Sequence, residues 1–254
     1  MNALLGAAVI AALATFASRP VALATGAVAT VRADRWHASG RLPRLAGPAL
    51  WVALLPWVEL ELLLVLAGFC AVGAVDDHRP LRAFAKATLL LVPCAAAAWV
   101  TGELWVGLAC WLSANAVNML DHADGTAASA CAASLLVAGG PLGMAGAGAS
   151  LGFLTQNWPP ARVFLGDGGS LMLGALLVLA WSSAPAAWLA GSAVPLLDAA
   201  FVVARRIRRG RPPWVGGTDH SGHELLRHGV HPAWLPPLYG STAVLCAFVG
   251  GVWR

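Results

Sequence analysis

Long apolar runs separated by short polar loops recur along the whole chain. Ten such runs can be distinguished, at about 3–30, 46–58, 60–75, 84–100, 104–120, 125–140, 142–156, 169–184, 186–204 and 232–250. A helix that crosses a membrane needs about 17–25 residues, so several of these runs are short. Since no polar domain interrupts the series, the pattern predicts an all-α fold: a polytopic integral membrane bundle of about ten transmembrane helices, in one domain over residues 1–254.

The run 46–75 holds either one long tilted helix or two short helices around Pro56 and the Glu59/Glu61 pair. The basic residues favour two helices. With two passes, one face carries every Lys and Arg except Arg19 and Arg254, in the loops 31–45, 76–86, 121–124, 157–168 and 205–231. Because cytoplasmic loops are enriched in Lys and Arg, this face is predicted to be cytoplasmic, with both termini outside.

The composition fits a membrane protein, with 59% hydrophobic and 11% charged residues. The net charge of +4 does not indicate nucleic acid, because the basic residues lie in brief loops where lipid headgroups are the usual neighbours. The five cysteines lie in apolar runs without CxxC spacing and are predicted to be buried free thiols. No basic residue precedes the first run, so we expect that run to be kept as a membrane helix rather than removed as a signal peptide.

Most acidic residues map to the same face as the basic loops. They are Asp34, Asp76, Asp77, Asp121, Asp124, Asp167, Asp219 and Glu224, whereas Asp198 lies within a span and Glu59, Glu61 and Glu103 map to the other face. Carboxylates gathered among arginines and histidines at one end of a bundle are typical of a site for a metal ion and phosphates. A transporter more often places its ionisable residues near mid-membrane, and it stays as an alternative beside a non-catalytic scaffold.

The stretch NAVNMLDHADG carries polar residues at every third position. Asn115, Asn118, Asp121 and Asp124 therefore fall on adjoining parts of a helical surface where it leaves the membrane. The same side chains could instead cap the helix end by bonding its loose backbone groups. The pattern thus indicates either a ligand pocket or a cap.

Two further clusters contain aspartates next to apolar runs. In VDDHRPLRAFAK, Asp76 and Asp77 end a run and Lys86 follows; adjacent carboxylates repel each other unless a cation or a lysine offsets them. In VFLGDGGSLMLG, Asp167 lies between glycines immediately before a span, and glycine allows the backbone to approach a ligand closely. Gly-Asp-Gly is also common in ordinary turns.

The cluster TDHSGHELLRHG places His220 and His223 one helical turn apart, with Arg227 beyond them. Histidines at this spacing can bind zinc, but the sequence places no third ligand at metal-binding spacing beside them. Contact with phosphate is therefore favoured.

Taken in order, these clusters resemble the polyprenyl-phosphate N-acetylhexosamine-1-phosphate transferases (glycosyltransferase family 4). This family includes phospho-N-acetylmuramoyl-pentapeptide transferases and undecaprenyl-phosphate GlcNAc-1-phosphate transferases. The resemblance covers roughly residues 34–229. It rests on HASGRLPRLAG (37–47), GAVDDHRPL with Lys86, NAVNMLDHADG, GFLTQNWPPARVFLGDGGS (152–170), PLLD (195–198) and HSGHELLRHG (220–229).

The resemblance implies transfer of a HexNAc-1-phosphate from a UDP-HexNAc donor to undecaprenyl phosphate, with release of UMP. It implies Mg²⁺ as cofactor, with Mn²⁺ as an alternative, and an active site on the cytoplasmic face of the bacterial inner membrane. The product would begin a lipid-linked cell-envelope glycan. The oligomeric state, including a homodimer, is left open.

The resemblance also assigns the catalytic residues. Asp167 matches the family's magnesium-binding aspartate. Asp76 and Asp77 match paired aspartates, one of which is proposed to deprotonate or position the lipid phosphate, and Lys86 matches a basic residue close to them. A divalent cation and basic side chains suit this reaction, because one phosphate attacks another and the anions must be neutralised.

Substrate contacts are implied at eight further positions. Among these, Phe164 matches an aromatic residue that stacks on uracil, and the histidines match two positions of a His-rich loop. The full set is Asn118, Asp121, Asp124, Asn157, Phe164, His220, His223 and Arg227.

Three departures from the family pattern affect the prediction. Gly222 stands where the loop often has a middle histidine, so one phosphate contact would be missing, and His122 stands where glycine is common. The region 46–75 is also short. At residues 42–47 the sequence LPRLAG looks more like the PRLGG of the GlcNAc branch than the TPTMGG of the muramoyl-pentapeptide branch, which favours a simple UDP-HexNAc donor.

Overall fold

The computed structural model describes residues 2–30 and 41–251, and the fold of this part of the chain is almost entirely helical. Asp34 and residues 37–40 of the HASGRLPRLAG motif lie outside the described residues. The elements are α1 (Asn2–Thr25), β1 (Val28–Thr30), β2 (Arg41–Pro43), α2 (Ala46–Leu54), α3 (Leu60–His78), α4 (Ala83–Leu89), α5 (Leu91–Thr101), α6 (Leu104–Leu120), α7 (Thr126–Ala138), α8 (Gly140–Asn157), α9 (Gly166–Ala180), α10 (Pro185–Gly191), α11 (Ala193–Arg208), α12 (Ser221–Arg227), a 3₁₀ turn (Pro232–Trp234) and α13 (Leu235–Gly251).

The centre of the bundle is α9. Its sequence GDGGSLMLGALLVLA is apolar on all sides, and every residue except Asp167 and Ala180 is buried. A helix of this composition is stable only when other helices or lipid surround it, and α3 and α6 are its principal neighbours here. On the outside of the bundle, α1 packs on α8 and α13 packs on α7.

Small residues allow these helices to approach closely. A Cβ atom at Gly73 of α3 would overlap the backbone of Asp167, and a Cβ atom at Gly174 of α9 would overlap the backbone of α6 at Ser113 and Ala114. Small residues at such crossings are typical of helix packing in lipid, where close backbone contact supplies the attraction. The contact at Gly73 brings the end of α3 against the start of α9.

The predicted all-α architecture needs one correction. The first apolar run was predicted to reach residue 30, but α1 ends at Thr25. Gly26 has a φ of +76°, a conformation that glycine adopts without strain, and the chain then enters β1. Strand β1 pairs antiparallel with β2, with Val28 opposite Pro43 and Thr30 opposite Arg41.

The prediction of about ten spans is not confirmed. Among the described residues, three helical segments are both long and apolar enough to cross a membrane: 2–25, the continuous rod 83–101 formed by α4 and α5, and 232–249. Helices α10 and α11 would make a fourth segment only as a broken span, since they bend by 73°. Helices α6, α7 and α9 are apolar but shorter.

The run 46–75 forms a hairpin with unequal arms. Helix α2 has nine residues and is therefore about 13 Å long, less than half of a hydrocarbon core of about 30 Å. The chain turns at 55–59 and returns through α3, and the indole N–H of Trp51 donates to the Leu63 carbonyl at 2.8 Å. Two segments were correctly predicted, but α2 is too short to be a full span.

Several polar loops meet at one end of the bundle, as the charge pattern predicted. The backbone N–H of Phe164 donates to the Pro43 carbonyl at 2.9 Å. Arg44 lies 3.6 Å from Asp77, and the Ala161 N–H donates to Asp124 at 2.8 Å. The loops around residues 43, 77, 124 and 161 therefore share one surface, which we call the polar end.

A buried ion pair fastens the loop after α11 to that helix. Arg206 Nε lies 3.3 Å from Asp219 Oδ2, and Arg209 Nη1 lies 3.0 Å from Oδ1. Burial opposes ionisation of Asp219, but the two guanidinium groups outweigh it and hold the pKa of this carboxyl below its usual value.

We predict that Asp219→Asn lowers the free energy of unfolding by roughly 3 kcal/mol at pH 7, because it leaves a buried guanidinium without its carboxylate. A lowered pKa contributes stability that is present above the unfolded-state value and is lost as the pH falls through the folded-state value. The difference between wild type and variant should therefore disappear at strongly acidic pH. Thermal melting in detergent measures it, and Glu224→Gln, which removes an exposed ion pair, should cost far less.

We also predict that single cysteines at Arg41, Arg79 and Arg209, all exposed, react with an impermeant maleimide from the cytoplasm only. The shared polar end and the enrichment of cytoplasmic loops in basic residues require a common side. Labelling of residues 41 and 79 from opposite sides would contradict the hairpin geometry of α2 and α3. Labelling of all three from outside would reverse the predicted orientation.

Candidate active site

A lysine and three aspartates from three helices meet at the polar end. Lys86 of α4 lies 3.0 Å from Asp76 Oδ2 and also forms a close ion pair with Asp167 Oδ2. Asp76 and Asp77 belong to the last turn of α3, and Asp167 belongs to the first turn of α9. Asp76 Oδ1 accepts the Leu81 N–H at 2.6 Å, which fixes the turn that leads to Lys86. We call this group the carboxylate–lysine cluster.

The glycines around Asp167 allow this approach. Gly166 has a φ of +68°, and a Cβ atom there would lie 2.6 Å from Asp77 Oδ2. The same oxygen accepts the Gly168 N–H at 3.1 Å, one of the amides that the first turn of a helix leaves without an intrahelical partner. The Gly-Asp-Gly motif thus fits the end of α3 against the start of α9.

Asn118, in the last turn of α6, completes the cluster. With its amide oriented to satisfy both of its ends, its nitrogen donates to Asp167 Oδ1 at 3.1 Å and its oxygen accepts from Lys86 at 2.9 Å. Ser170 lies 2.9 Å from the same amide. The structure thus brings Asn118 beside Asp167 and Lys86, and its contact with the nucleotide or the sugar stays a prediction.

Asn115, Asn118, Asp121 and Asp124 were predicted to share one helical surface. Only the first two lie on the helix, because α6 stops at Leu120. Asp121 follows the helix in a turn and is half-buried. Burial, together with the negative charges of Asp167 and Asp77, raises the pKa of Asp121 well above its ordinary value. This part of the site is therefore short of positive charge.

The residues of the cluster fit a hard divalent cation such as Mg²⁺. Their donors are carboxylate and amide oxygens, which such cations prefer. Asp77 Oδ1 is buried without a hydrogen-bond partner among the described residues, and its nearest cation, Arg44, is 3.6 Å away. Lys86 and Arg44 face four carboxylates, those of Asp76, Asp77, Asp121 and Asp167, so a cation would restore the charge balance.

Asp124 and Asn157 support the backbone of neighbouring loops. Asp124 accepts the Ala161 N–H at 2.8 Å, while Asn157 accepts the Gly125 N–H and donates to the Val163 carbonyl, both at 2.9 Å. Both side chains are buried. They hold the turn 121–125 and the loop 158–165 in place, and direct contact of either residue with substrate stays a prediction.

The histidines occupy a buried cluster of their own. The rings of His122 and His220 stack with their centroids 4.4 Å apart, and the His223 ring is 4.8 Å from that of His122. His220 Nδ1 lies 3.0 Å from Asp198 Oδ2. His220 is 5% exposed and His223 is 1% exposed, so the predicted contact with phosphate is not what their surroundings favour. We call these three histidines with Asp198 the imidazole cluster.

Two of the three departures from the family pattern, Gly222 and His122, touch each other in this cluster. A Cβ atom at Gly222 would overlap the His122 ring, so the glycine leaves the space that the histidine fills. Burial, together with the neighbouring imidazole of His220, lowers the pKa of His122 well below its usual value, which keeps the ring neutral.

Arg227 does not join either cluster. It lies 2.5 Å from Glu224 on the exposed side of α12 and donates to the Thr218 carbonyl. The prediction that Arg227 contacts substrate therefore has no support in this arrangement. Phe164 is half-buried in the loop that packs against β2.

Five site residues were absent from the sequence-based assignment: Arg44, His122, Ser170, Asp198 and Tyr239. The first four fall within motifs already quoted, so a signal was present. Tyr239, whose hydroxyl lies 2.6 Å from Ser221 Oγ, is on α13 and carries no motif.

Comparison with known proteins agrees with the motifs. Residues 98–184 match the model of glycosyl transferase family 4. The chain is 38% identical over 190 residues to a provisionally named glycosyltransferase of Streptomyces coelicolor, a match that covers 66% of this chain and 45% of that protein. It is 35% identical to the phospho-N-acetylmuramoyl-pentapeptide-transferase of Moorella thermoacetica, over 47% of this chain and 51% of that protein.

A match at lower identity extends over most of the chain. The decaprenyl-phosphate N-acetylglucosaminephosphotransferase of Mycolicibacterium smegmatis is 28% identical over 89% of this chain and 75% of that protein. The chain spans about half the length of the first two relatives. The resemblance inferred from the motifs is confirmed by these matches: residues 98–184 are similar to glycosyl transferase family 4, and two of the relatives carry the names of sugar-phosphate transferases.

Proposed function

We propose that this protein transfers a HexNAc-1-phosphate from a UDP-HexNAc to undecaprenyl phosphate at the cytoplasmic face of the membrane and releases UMP. The observation that carries the proposal is the carboxylate–lysine cluster, in which Asp76, Asp77, Asp167 and Lys86 converge at the polar end. The names of the relatives support a polyprenyl-phosphate acceptor and a nucleotide-sugar donor.

An apolar groove supports a lipid acceptor. It lies between α3 and α5, has a volume of about 790 Å³, and is lined mainly by aliphatic side chains, with Val72 and Leu89 among them. Val72 is one turn before Asp76, and Leu89 follows Lys86 by three residues, so the groove approaches the cluster. An isoprenoid chain in this groove would carry its phosphate to the ammonium group of Lys86.

The chain's own residues would reduce the repulsion between two phosphates. Lys86 and Arg44 supply positive charge at the polar end. Asp167, with oxygens of Asn118 and Asp121 nearby, would hold Mg²⁺ or Mn²⁺. When bound, such a cation neutralises charge on the pyrophosphate that is broken.

Asp77 is the better candidate to accept a proton from the lipid phosphate. Its Oδ1 has no hydrogen-bond partner among the described residues, whereas Asp76 is engaged by Lys86 and by the Leu81 N–H. With the acceptor oxygen deprotonated and held in place, positioning would supply much of the remaining rate enhancement.

The sugar carried by the donor is a separate part of the proposal. Relatives of both branches match this chain, one a muramoyl-pentapeptide transferase and one an N-acetylglucosaminephosphotransferase. We favour a simple UDP-HexNAc because the LPRLAG stretch looks like the GlcNAc branch; lipid I synthesis from UDP-MurNAc-pentapeptide is the second candidate.

The reaction is tested directly. Purified protein with undecaprenyl phosphate, Mg²⁺ and a panel of UDP-sugars, including UDP-MurNAc-pentapeptide, should release UMP with at least one UDP-HexNAc, and EDTA should stop the release. Folded protein that gives no UMP with any donor would overturn the enzymatic proposal. Uptake of a solute into vesicles without UMP release would favour the transporter alternative.

The metal assignment is tested by a Mg²⁺ titration of turnover. Asp167→Asn keeps the shape of the side chain but removes its charge, so we expect turnover to fall roughly 100-fold or more, with little change in stability. Asp124→Asn is the matched comparison: as a predicted donor-pocket residue, it should weaken binding of the UDP-sugar more than it alters the Mg²⁺ midpoint. Near-normal turnover and an unchanged Mg²⁺ midpoint in Asp167→Asn would move the metal to Asp76 or Asp77.

A further inference from the structure

We propose that His122, Asp198 and His220 form a second metal site, distinct from the carboxylate–lysine cluster. The site would take a divalent transition metal such as Zn²⁺. The bound ion would fasten the turn 121–125 to α11 and to the start of α12. This inference does not depend on the proposed reaction.

The three side chains lie close enough together to bind one metal ion. Each offers one ligand atom, and these atoms all lie within 4.8 Å of one another. Two imidazole nitrogens and one carboxylate oxygen form a donor set that suits zinc better than magnesium, since magnesium prefers oxygen alone. His122 is 6% exposed, and His220 and Asp198 are each 5% exposed, so the site is shielded from bulk solvent, and one water molecule would complete the tetrahedron around the ion.

His122 is poorly satisfied in its buried position. Both of its ring nitrogens are buried, and neither has a partner that meets full hydrogen-bond geometry among the described residues, although the backbone of Met119 lies close to the ring. Buried polar atoms in native proteins normally have a well-formed partner. A metal ion at one nitrogen would supply it.

The side chains of His220 and Asp198 are spaced like two ligands of one metal ion. Nδ1 and Oδ2 lie 3.0 Å apart, close to the roughly 3.3 Å between two ligands of a tetrahedral ion with bonds of about 2.0 Å. Zinc would replace the proton that these atoms share, and that proton would leave to solvent. The His122 ring must turn out of its stack on His220 to bring a nitrogen to the same ion.

Neighbouring groups already orient the carboxylate. Asp198 Oδ1 accepts the Ser221 N–H at 3.0 Å and also accepts the Ser221 hydroxyl, which in turn lies 2.6 Å from the Tyr239 hydroxyl. Such outer contacts typically fix the ligands of a metal site. Gly222 leaves room for the His122 ring, since any side chain there would overlap it.

The position of His122 determines which segments of the chain a bound ion would join. It lies in the turn that also contains Asp121 and Asp124, whereas Asp198 belongs to α11 and His220 directly precedes α12. An ion at this point would join three segments that are distant in the sequence. It would act as a structural clamp beside the candidate active site, without contact with the reacting phosphates.

The test uses Co²⁺ as a spectroscopic probe of the full-length protein in detergent after chelator treatment. Wild type should bind one equivalent with the strong visible d–d absorption of tetrahedral Co²⁺, and Zn²⁺ but not excess Mg²⁺ should displace it. His122→Gln and Asp198→Asn should weaken Co²⁺ binding at least tenfold. His228→Ala, which removes an exposed histidine, should leave the binding unchanged.

A second readout separates this proposal from the proposed reaction. Zn²⁺ should raise the melting temperature of wild type and of Asp167→Asn alike, but not that of His122→Gln. Absence of a saturable tetrahedral signal in wild type would overturn the second site, as would an unchanged Co²⁺ affinity in folded His122→Gln. Loss of UMP release in Asp167→Asn with the Co²⁺ signal intact would show that the two sites are separate.

Discussion

The ammonium group of Lys86 is the contact on which the polar end depends. It lies between carboxylates of α3 and α9, which would repel each other in a medium that offers little water to screen them. Gly73 and Gly166 let the two helices come close enough for one cation to serve both. Without this charge, the carboxylates at the ends of α3 and α9 would repel each other. The close packing of α3 on α9 therefore depends on a lysine at the site.

Much of this arrangement follows from the sequence. The apolar runs predict the helices, and the one-sided arginines and lysines predict that the loops around residues 43, 77, 124 and 161 come together. Asp76, Asp77, Lys86, Asn118 and Asp167 lie together at the polar end, because each stands close to the end or the start of an apolar run and the helices bring those ends to one side of the bundle.

Contacts across the sequence could not be predicted in the same way. The spacing of His220 and His223 indicated no third ligand. Folding nevertheless brings His122 and Asp198 beside His220, although they precede it by 98 and 22 residues in the sequence. The half-length α2 and the pairing of β1 with β2 were also missed, since three-residue strands leave no periodic pattern. Four thiols, those of Cys70, Cys94, Cys110 and Cys131, are free and buried as predicted, because burial of an apolar run needs no distant partner.

The bend between α10 and α11 changes how the membrane surface meets the protein. Helix α11 exposes Leu197, Phe201 and Ile207, and Arg208 and Arg209 are exposed at its basic end, whereas Arg206 is buried against Asp219. A helix with one apolar side and a basic end, turned by 73° from its predecessor, suits the headgroup region better than the hydrocarbon core. Each basic residue near an anionic leaflet contributes about 1 kcal/mol of attraction within a Debye length. The protein would therefore gather anionic lipids around itself, so that a phosphate-bearing lipid arrives by lateral diffusion in an already enriched annulus.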